Sequence, residues 1–219
     1  IRSVADVRGE PVLGLRERKK RRTRATLIDA AVGLCDSQGF DDTTVDQIAA
    51  IADVSPRTFS RYFSTKDAIA LALIDEVLDK VAAELERQPA DIGHLEAVRR
   101  AYREMAGKAK LAQADALSST RLMQILRMVI SSGPLRQAAL EYRANSVDAA
   151  MSRRLGTTVD DRRVKLLCAV WGAVVMTALR ELAEDSGTMP GIGIDAVIAA
   201  VDATYADFTG EIAGLGQRV

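Results

Sequence analysis

Apolar residues recur at intervals of three and four along most of the chain, the spacing of one helix face, so the fold is expected to be all-α. From Arg18 to Gln38 the positions Leu27, Ile28, Ala31, Leu34 and Cys35 form such a face. Gly39 ends it, with Phe40 placed to fold back on the last turn. Thr44-Val45-Asp46-Gln47 has the form of a capping box, in which Thr44 caps and Gln47 reaches back, and it opens a short helix through Ile48, Ala49 and Ala52. Ser55-Pro56 starts another, with Ser55 as the cap and Pro56 at the first helical position, ending near Phe63. Ser64-Thr65-Lys66-Asp67 reads as a second capping box before a long helix to about Arg87. Its apolar stripe is Ala70, Leu73, Ile74, Val77, Leu78, Val81 and Leu85. Ahead of all this, Gly9, Pro11 and Gly14 interrupt any period, which predicts a flexible arm over residues 1–17.

Only Asp53-Val54-Ser55 separates the two short helices, the spacing of a helix-turn-helix whose second helix enters the major groove. Ala49 is small enough for a close helix crossing, and Ile48, Val54 and Phe59 would form the core between the two helices. The second helix then presents Arg57, Thr58, Ser60, Arg61 and Tyr62, side chains able to reach base edges and phosphates. A helical corner with no nucleic-acid role has the same spacing. Charge adds to the picture. The chain is neutral overall, yet residues 1–66 hold 12 basic against 9 acidic residues. Seven of the nine positions from Arg16 to Arg24 are basic, which suits either a phosphate-binding arm or a solvated face.

At this point the chain resembles the TetR family of DNA-binding regulators. Thr44-Val45-Asp46-Gln47-Ile48-Ala49, Ala52-Asp53-Val54-Ser55, Thr58-Phe59, Tyr62-Phe63-Ser64 and Lys66-Asp67-Ala68 carry the resemblance without a gap, over roughly residues 18–70. It implies a DNA-binding domain at residues 18–66 and a ligand-binding and dimerisation domain at 67–219, about nine helices in all. It also implies a cytoplasmic bacterial regulator, usually a repressor, that binds a palindromic operator in double-stranded DNA as a homodimer. A small apolar or amphipathic molecule would release it. By position, Thr44 would contact phosphate, residues Ser55 to Tyr62 (Pro56 among them) would read the groove, and Tyr62 and Lys66 would grip the DNA backbone, joined by Arg22 and Arg24 from the basic run. Two positions depart from the family pattern. Asp53 stands where glycine is usual, at a site expected to need positive φ, which Asp tolerates better than most residues. Ser60 stands where an aromatic is common, which puts one contact in doubt.

The remainder reads as a helical bundle, with helices expected over Leu95–Lys110, Ser118–Ile130, Leu135–Leu155, Asp161–Asp185 and Asp195–Leu215. The broad stripes of the last two predict a dimer interface containing Val164, Leu167, Trp171, Val175, Val197, Val201 and Phe208, with Gly172, Ala173, Ala199 and Ala203 allowing close approach. Internal core is the other reading of the same stripes. Tyr102, Met105, Leu122, Met123, Leu126, Arg127, Tyr142, Met151 and Trp171 are candidate ligand contacts, although Met and aromatic residues at helical spacing also build plain core. The arginines among Arg121–Arg127, Arg136, Arg153, Arg154 and Arg162 are weakly similar to regulators that bind acyl-CoA-like molecules, where they would hold the CoA phosphates.

Other chemistry finds little support. One His and two Cys 133 positions apart leave no metal-ligand spacing, so no metal or cofactor is expected. No phosphate-cradling glycine loop or nucleophile elbow is present, so no enzyme is expected. The longest uncharged apolar run, Leu166 to Leu179, has 14 residues, short of the roughly 20 a membrane helix needs, and no membrane partner is expected. His94 is expected at a helix start, Cys35 and Cys168 as small buried residues, and Asp160-Asp161 as a cap. A ligand carrier with a vestigial helix-turn-helix and a transcriptional activator remain the alternative readings.

Overall fold

The computed structural model describes residues 14–112, 117–142, 145–186 and 192–215, and within them the chain is all helix. The order is α1 (Leu15–Gln38), α2 (Val45–Ile51), α3 (Pro56–Tyr62), α4 (Lys66–Leu85), α5 (His94–Leu111), α6 (Ser119–Ser131), α7 (Gly133–Glu141), α8 (Asn145–Leu155), α9 (Arg162–Ser186) and α10 (Ile194–Leu215). The chain divides into two compact units between Ile69 and Ala70, a boundary that falls inside α4.

In the first unit α2 packs on α1 and on α3. Leu27, Ile28, Ala31 and Cys35 are buried along α1, as their spacing predicts, together with Ala30 and Val32. Ile48 and Phe59 are completely buried and Ala49 nearly so, whereas Val54 is only half-buried. Gly39 closes α1 at φ 88°, and Phe40 behind it is buried. α1 begins at Leu15, so the basic run lies on a helix and the last residues of the expected arm are helical. The rest of that arm, residues 1–13, lies outside the described residues. α4 is capped by Thr65 and not by Ser64: the Thr65 hydroxyl accepts from the Ala68 N–H at 3.2 Å, which moves the cap one residue along from the expected box.

The second unit is a bundle around α9, which touches α5, α6, α7, α8 and α10. Val164, Trp171, Val174, Ala178 and Leu179 bury one side of α9. From Arg162 to Glu184 this helix is long and apolar enough to cross a membrane by length and composition, with mean hydropathy 1.6 in its most apolar window, although its uncharged run is shorter. The segment expected as one helix from Leu135 to Leu155 is two, because α7 ends at Glu141 and Tyr142 takes an extended conformation (φ −67°, ψ 126°). No glycine or proline signals that break. Asp161 caps α9 by accepting from the Arg163 N–H at 2.8 Å. The rest of the bundle is tied by charge: Glu84 on α4 accepts from Lys108 of α5 at 2.6 Å, and Arg99 of α5 reaches Asp202 of α10 at 2.8 Å.

Candidate nucleic-acid interface and ligand cavity

The turn between α2 and α3 is built to order. Asp53 is the one non-glycine residue with positive φ (52°) among the described residues. That left-handed step lets the Asp53 N–H return to the Ala50 carbonyl at 3.2 Å and the Val54 N–H to the Ala49 carbonyl at 3.0 Å, closing α2 and turning the chain sharply. The capping box is complete on the other side, with the Gln47 N–H bonded to the Thr44 hydroxyl at 3.3 Å and the Thr44 N–H to Gln47 Oε1 at 2.9 Å. Ser55 caps α3 through the Thr58 N–H at 3.1 Å, and Pro56 occupies the first turn, which lacks a bonding partner for that N–H anyway.

Several expected DNA contacts are thus already engaged inside the protein. Thr44 and Ser55 serve as caps, the Ser60 hydroxyl bonds back to the Pro56 carbonyl at 3.1 Å, and Thr58 lies against Ser55 at 3.0 Å. Lys66 departs furthest from its expected role. Its ammonium donates to the carbonyls of Phe40 (2.6 Å), Asp41 (3.1 Å) and Thr43 (2.8 Å), so it clamps the turn between α1 and α2. The cations left outward are Arg57 and Arg61 on α3 and Arg22 and Arg24 on α1, all exposed. Among the described residues none of the four has a carboxylate partner. The Arg61 guanidinium lies 5.3 Å from the Tyr62 ring centre and that of Arg24 5.1 Å from the Phe63 ring, contacts that hold the long side chains without neutralising them.

The second unit holds a cavity of about 320 Å³ between α4, α5, α6, α7, α8 and α9. Tyr102, Leu122, Leu126, Tyr142 and Trp171 line it, as expected. Met123 and Met151 do not, being buried in the packing between helices; Met105 lines only the smaller cavity beside it, and Arg127 lies outside the wall. The half-buried residues of the α4 stripe, Ile74, Val77 and Leu78, were missed as lining, as were Val175 and Met176 of α9. Their signal is an apolar stripe broader than core packing consumes. Cys168 also faces this space, so it is not the plain core residue expected. A smaller cavity of about 70 Å³ shares Tyr102, Leu122 and Leu126 with the first and continues toward Ile194 and Val201 of α10.

Most of the arginines expected to hold CoA phosphates are engaged elsewhere, while Arg162 is exposed at the start of α9. Arg136 donates to the Ile130 carbonyl, Arg153 pairs with Glu86, and Arg154 donates to the carbonyls of Gln88, Pro89 and Ile92. Arg121 and Arg127 have partners as well. Of the expected dimer residues, Val164, Trp171 and Val201 are buried within the chain, and Val175 faces the cavity, which corrects that set. Most large apolar side chains of α9 and α10 pack inward, and apart from Leu166 and Ile212 the exposed apolar residues of these helices are small. Leu166 and Ala173 on α9, and Ala196, Ala199, Ala203, Ala206 and Gly210 on α10, are exposed, each series on one face of its helix. Among the described residues no cluster of three or more His, Cys, Asp or Glu could hold a metal ion. His94 begins α5, and its Nδ1 is buried without a partner.

A turn locked by a left-handed residue, a basic helix and two outward arginines on the following helix define a helix-turn-helix regulator. Comparison with known proteins gives the family. The model for bacterial regulatory proteins of the tetR family matches residues 27–73. The regulator TcmR of Streptomyces glaucescens is 35% identical over 173 residues, 77% of this chain and 76% of that protein. A shorter match, 30% over 86 residues, covers 39% of the chain and 41% of RutR of Escherichia coli K12. In fold the chain resembles FadR of Thermus thermophilus, a repressor solved with lauroyl-CoA, at TM-score 0.50 and 21% identity over 84% of this chain and 91% of that one. SmeT, the repressor of a Stenotrophomonas maltophilia multidrug efflux pump, gives TM-score 0.50 and 21% identity over 84% and 89%. The chain belongs to the TetR family: it is a DNA-binding transcriptional regulator and not an enzyme.

Proposed function

We propose that this regulator is a cytoplasmic repressor that binds a palindromic operator as a homodimer and leaves it when a small molecule enters the α4–α9 cavity. The observation that carries this reading is the pairing, in one chain, of outward Arg57 and Arg61 on a helix-turn-helix with a mainly apolar 320 Å³ cavity in the second unit. Arg57 and Arg61 would enter the major groove, with Arg22 and Arg24 on the flanking backbone. The exposed Leu166 and Ala173 of α9 and the alanine series of α10 favour a second copy of the chain as cover. Two recognition helices then meet two half-sites only if they sit about 34–36 Å apart or a multiple of that. A ligand that binds more tightly to a state with the wrong spacing lowers operator affinity by its preference for that state.

Selection of bound fragments from genomic DNA by the purified chain, followed by a salt titration of the best fragment, tests the proposal. A palindrome bound with a steep salt slope is the expected result. Enrichment no better than random DNA would overturn it.

A further inference from the structure

The cavity has few polar groups, and their arrangement restricts what can enter. Tyr102 stands in the wall of both cavities, its ring 5.3 Å from that of Trp171, which in turn lies 5.7 Å from Tyr205. Burial pushes the Tyr102 phenol well above its ordinary range, so it carries its proton at any physiological pH. The nearby Trp171 indole N–H pulls the other way, as a donor aimed toward the phenol oxygen does. That N–H is buried, and among the described residues it has no acceptor at full hydrogen-bonding geometry. With its oxygen facing the indole, Tyr102 has its own proton to give to a group inside the cavity. Tyr142, at another part of the wall, is already bonded to Asp75.

Charge narrows the choice further. The lining carries Glu141 and Asp148 against a single cation, Lys165, which lies 3.4 Å from Asp160. Such a wall does not favour an anion, and Arg136, Arg153 and Arg154, among the arginines a polyphosphate would need, are bonded to protein carbonyls and a carboxylate.

Resting on the reading of this cavity as the effector site, we propose that the effector is an uncharged, largely apolar molecule bearing a carbonyl-type acceptor. The Tyr102 hydroxyl donates to that acceptor, with the Trp171 indole behind it. The donor's specificity comes from the apolar walls: a hydrocarbon of the same shape leaves the phenol proton unmet, while a ketone or quinone satisfies it.

Calorimetric titration of the full chain with fluorenone, with fluorene (the same ring skeleton without the carbonyl) and with lauroyl-CoA tests this. Trp171 is the only tryptophan and stands in the cavity wall, so quenching of its emission reports a ligand bound at or beside this cavity. Fluorenone is expected to bind about five- to tenfold more tightly than fluorene, the worth of one neutral hydrogen bond. Tyr102→Phe is expected to abolish the preference, bringing the two affinities together. Equal affinity for the two ring systems in the unaltered chain, a preference that survives Tyr102→Phe, or no binding of either would overturn the proposal. Tighter binding of lauroyl-CoA with release of bound operator would overturn it too, and would leave the ligand-responsive reading standing. The comparison in the unaltered chain decides the matter even if the variant does not fold.

Discussion

The ammonium of Lys66 donates at 2.6 Å to the carbonyl of Phe40, 26 residues earlier, and sits 4.5 Å from the centre of the same residue's ring. One cation thus serves a peptide oxygen and an aromatic face together, and two further carbonyls complete its donor set. The family resemblance assigns this lysine to a DNA phosphate, but the geometry gives it to the protein.

Lys66→Met is therefore expected to destabilise the first unit by about 2 kcal/mol, the cost of leaving partly buried carbonyls without their donor. Urea melts monitored by circular dichroism measure this. The slope of operator affinity against salt should stay within experimental scatter, whereas loss of one phosphate contact in each subunit of the dimer would reduce it by about 1.8.

Arg61 stands on the outward side of α3 with its guanidinium against Tyr62. If it reads a base edge, Arg61→Ala weakens operator binding by about 1–3 kcal/mol and relaxes preference at a single base pair. Competition with singly substituted operators checks this. A uniform loss on every sequence would make Arg61 a phosphate contact.

Asp53 occupies a left-handed conformation that costs most side chains about 1–2 kcal/mol. Asp53→Val is expected to lower the thermal midpoint by several degrees, while Asp53→Gly changes it little or raises it slightly. A Val variant as stable as the parent would show that the turn had relaxed.

Glu96 is held low, to about pKa 2, first by its hydrogen bonds from Arg99 and then, against burial, by the one from Arg100. A carboxylate depressed on folding adds stability that is complete above its unfolded value near 4.5 and fades as pH falls toward 2. With a quarter of the side chain still in solvent, this amounts to on the order of 1–2 kcal/mol. Glu96→Gln should flatten the fall in stability between pH 4.5 and 2, measured by urea midpoints. An unchanged slope would remove this network from the acid response.

What the sequence made legible was punctuation. Thr44 with Gln47, Ser55 with Pro56, Gly39 and the left-handed Asp53 all act within about four residues, so local pattern suffices to find them. Thr65 displaced Ser64 as a cap because adjacent hydroxyls compete for the same N–H groups and only the helix axis decides between them. The break at Tyr142 has no local signature at all. Lys66 is a tertiary case, since its acceptors lie 23 to 26 residues away. Cavity and outer face were hardest to tell apart. Met123 and Met151 share the helical spacing of true lining residues, and size misled on α9 and α10, where most of the bulk went inside. Periodicity tells that a position is apolar on a helix, not which neighbour it meets.

The outward series of Ala196, Ala199, Ala203, Ala206 and Gly210 on α10 has a thermodynamic consequence. Alanine and glycine bring no rotamers to freeze, so covering this face loses almost no side-chain entropy. Covering it also strips water from few polar atoms. Association there is opposed mainly by the lost freedom of the two bodies to tumble and drift apart. Methyl groups alone, however, distinguish poorly between one alignment and the next turn along. The charged residues bordering the series, Asp207 and Glu211 on α10 and Arg180 on α9, are left to choose among alignments, so added salt should blur orientation before it weakens affinity.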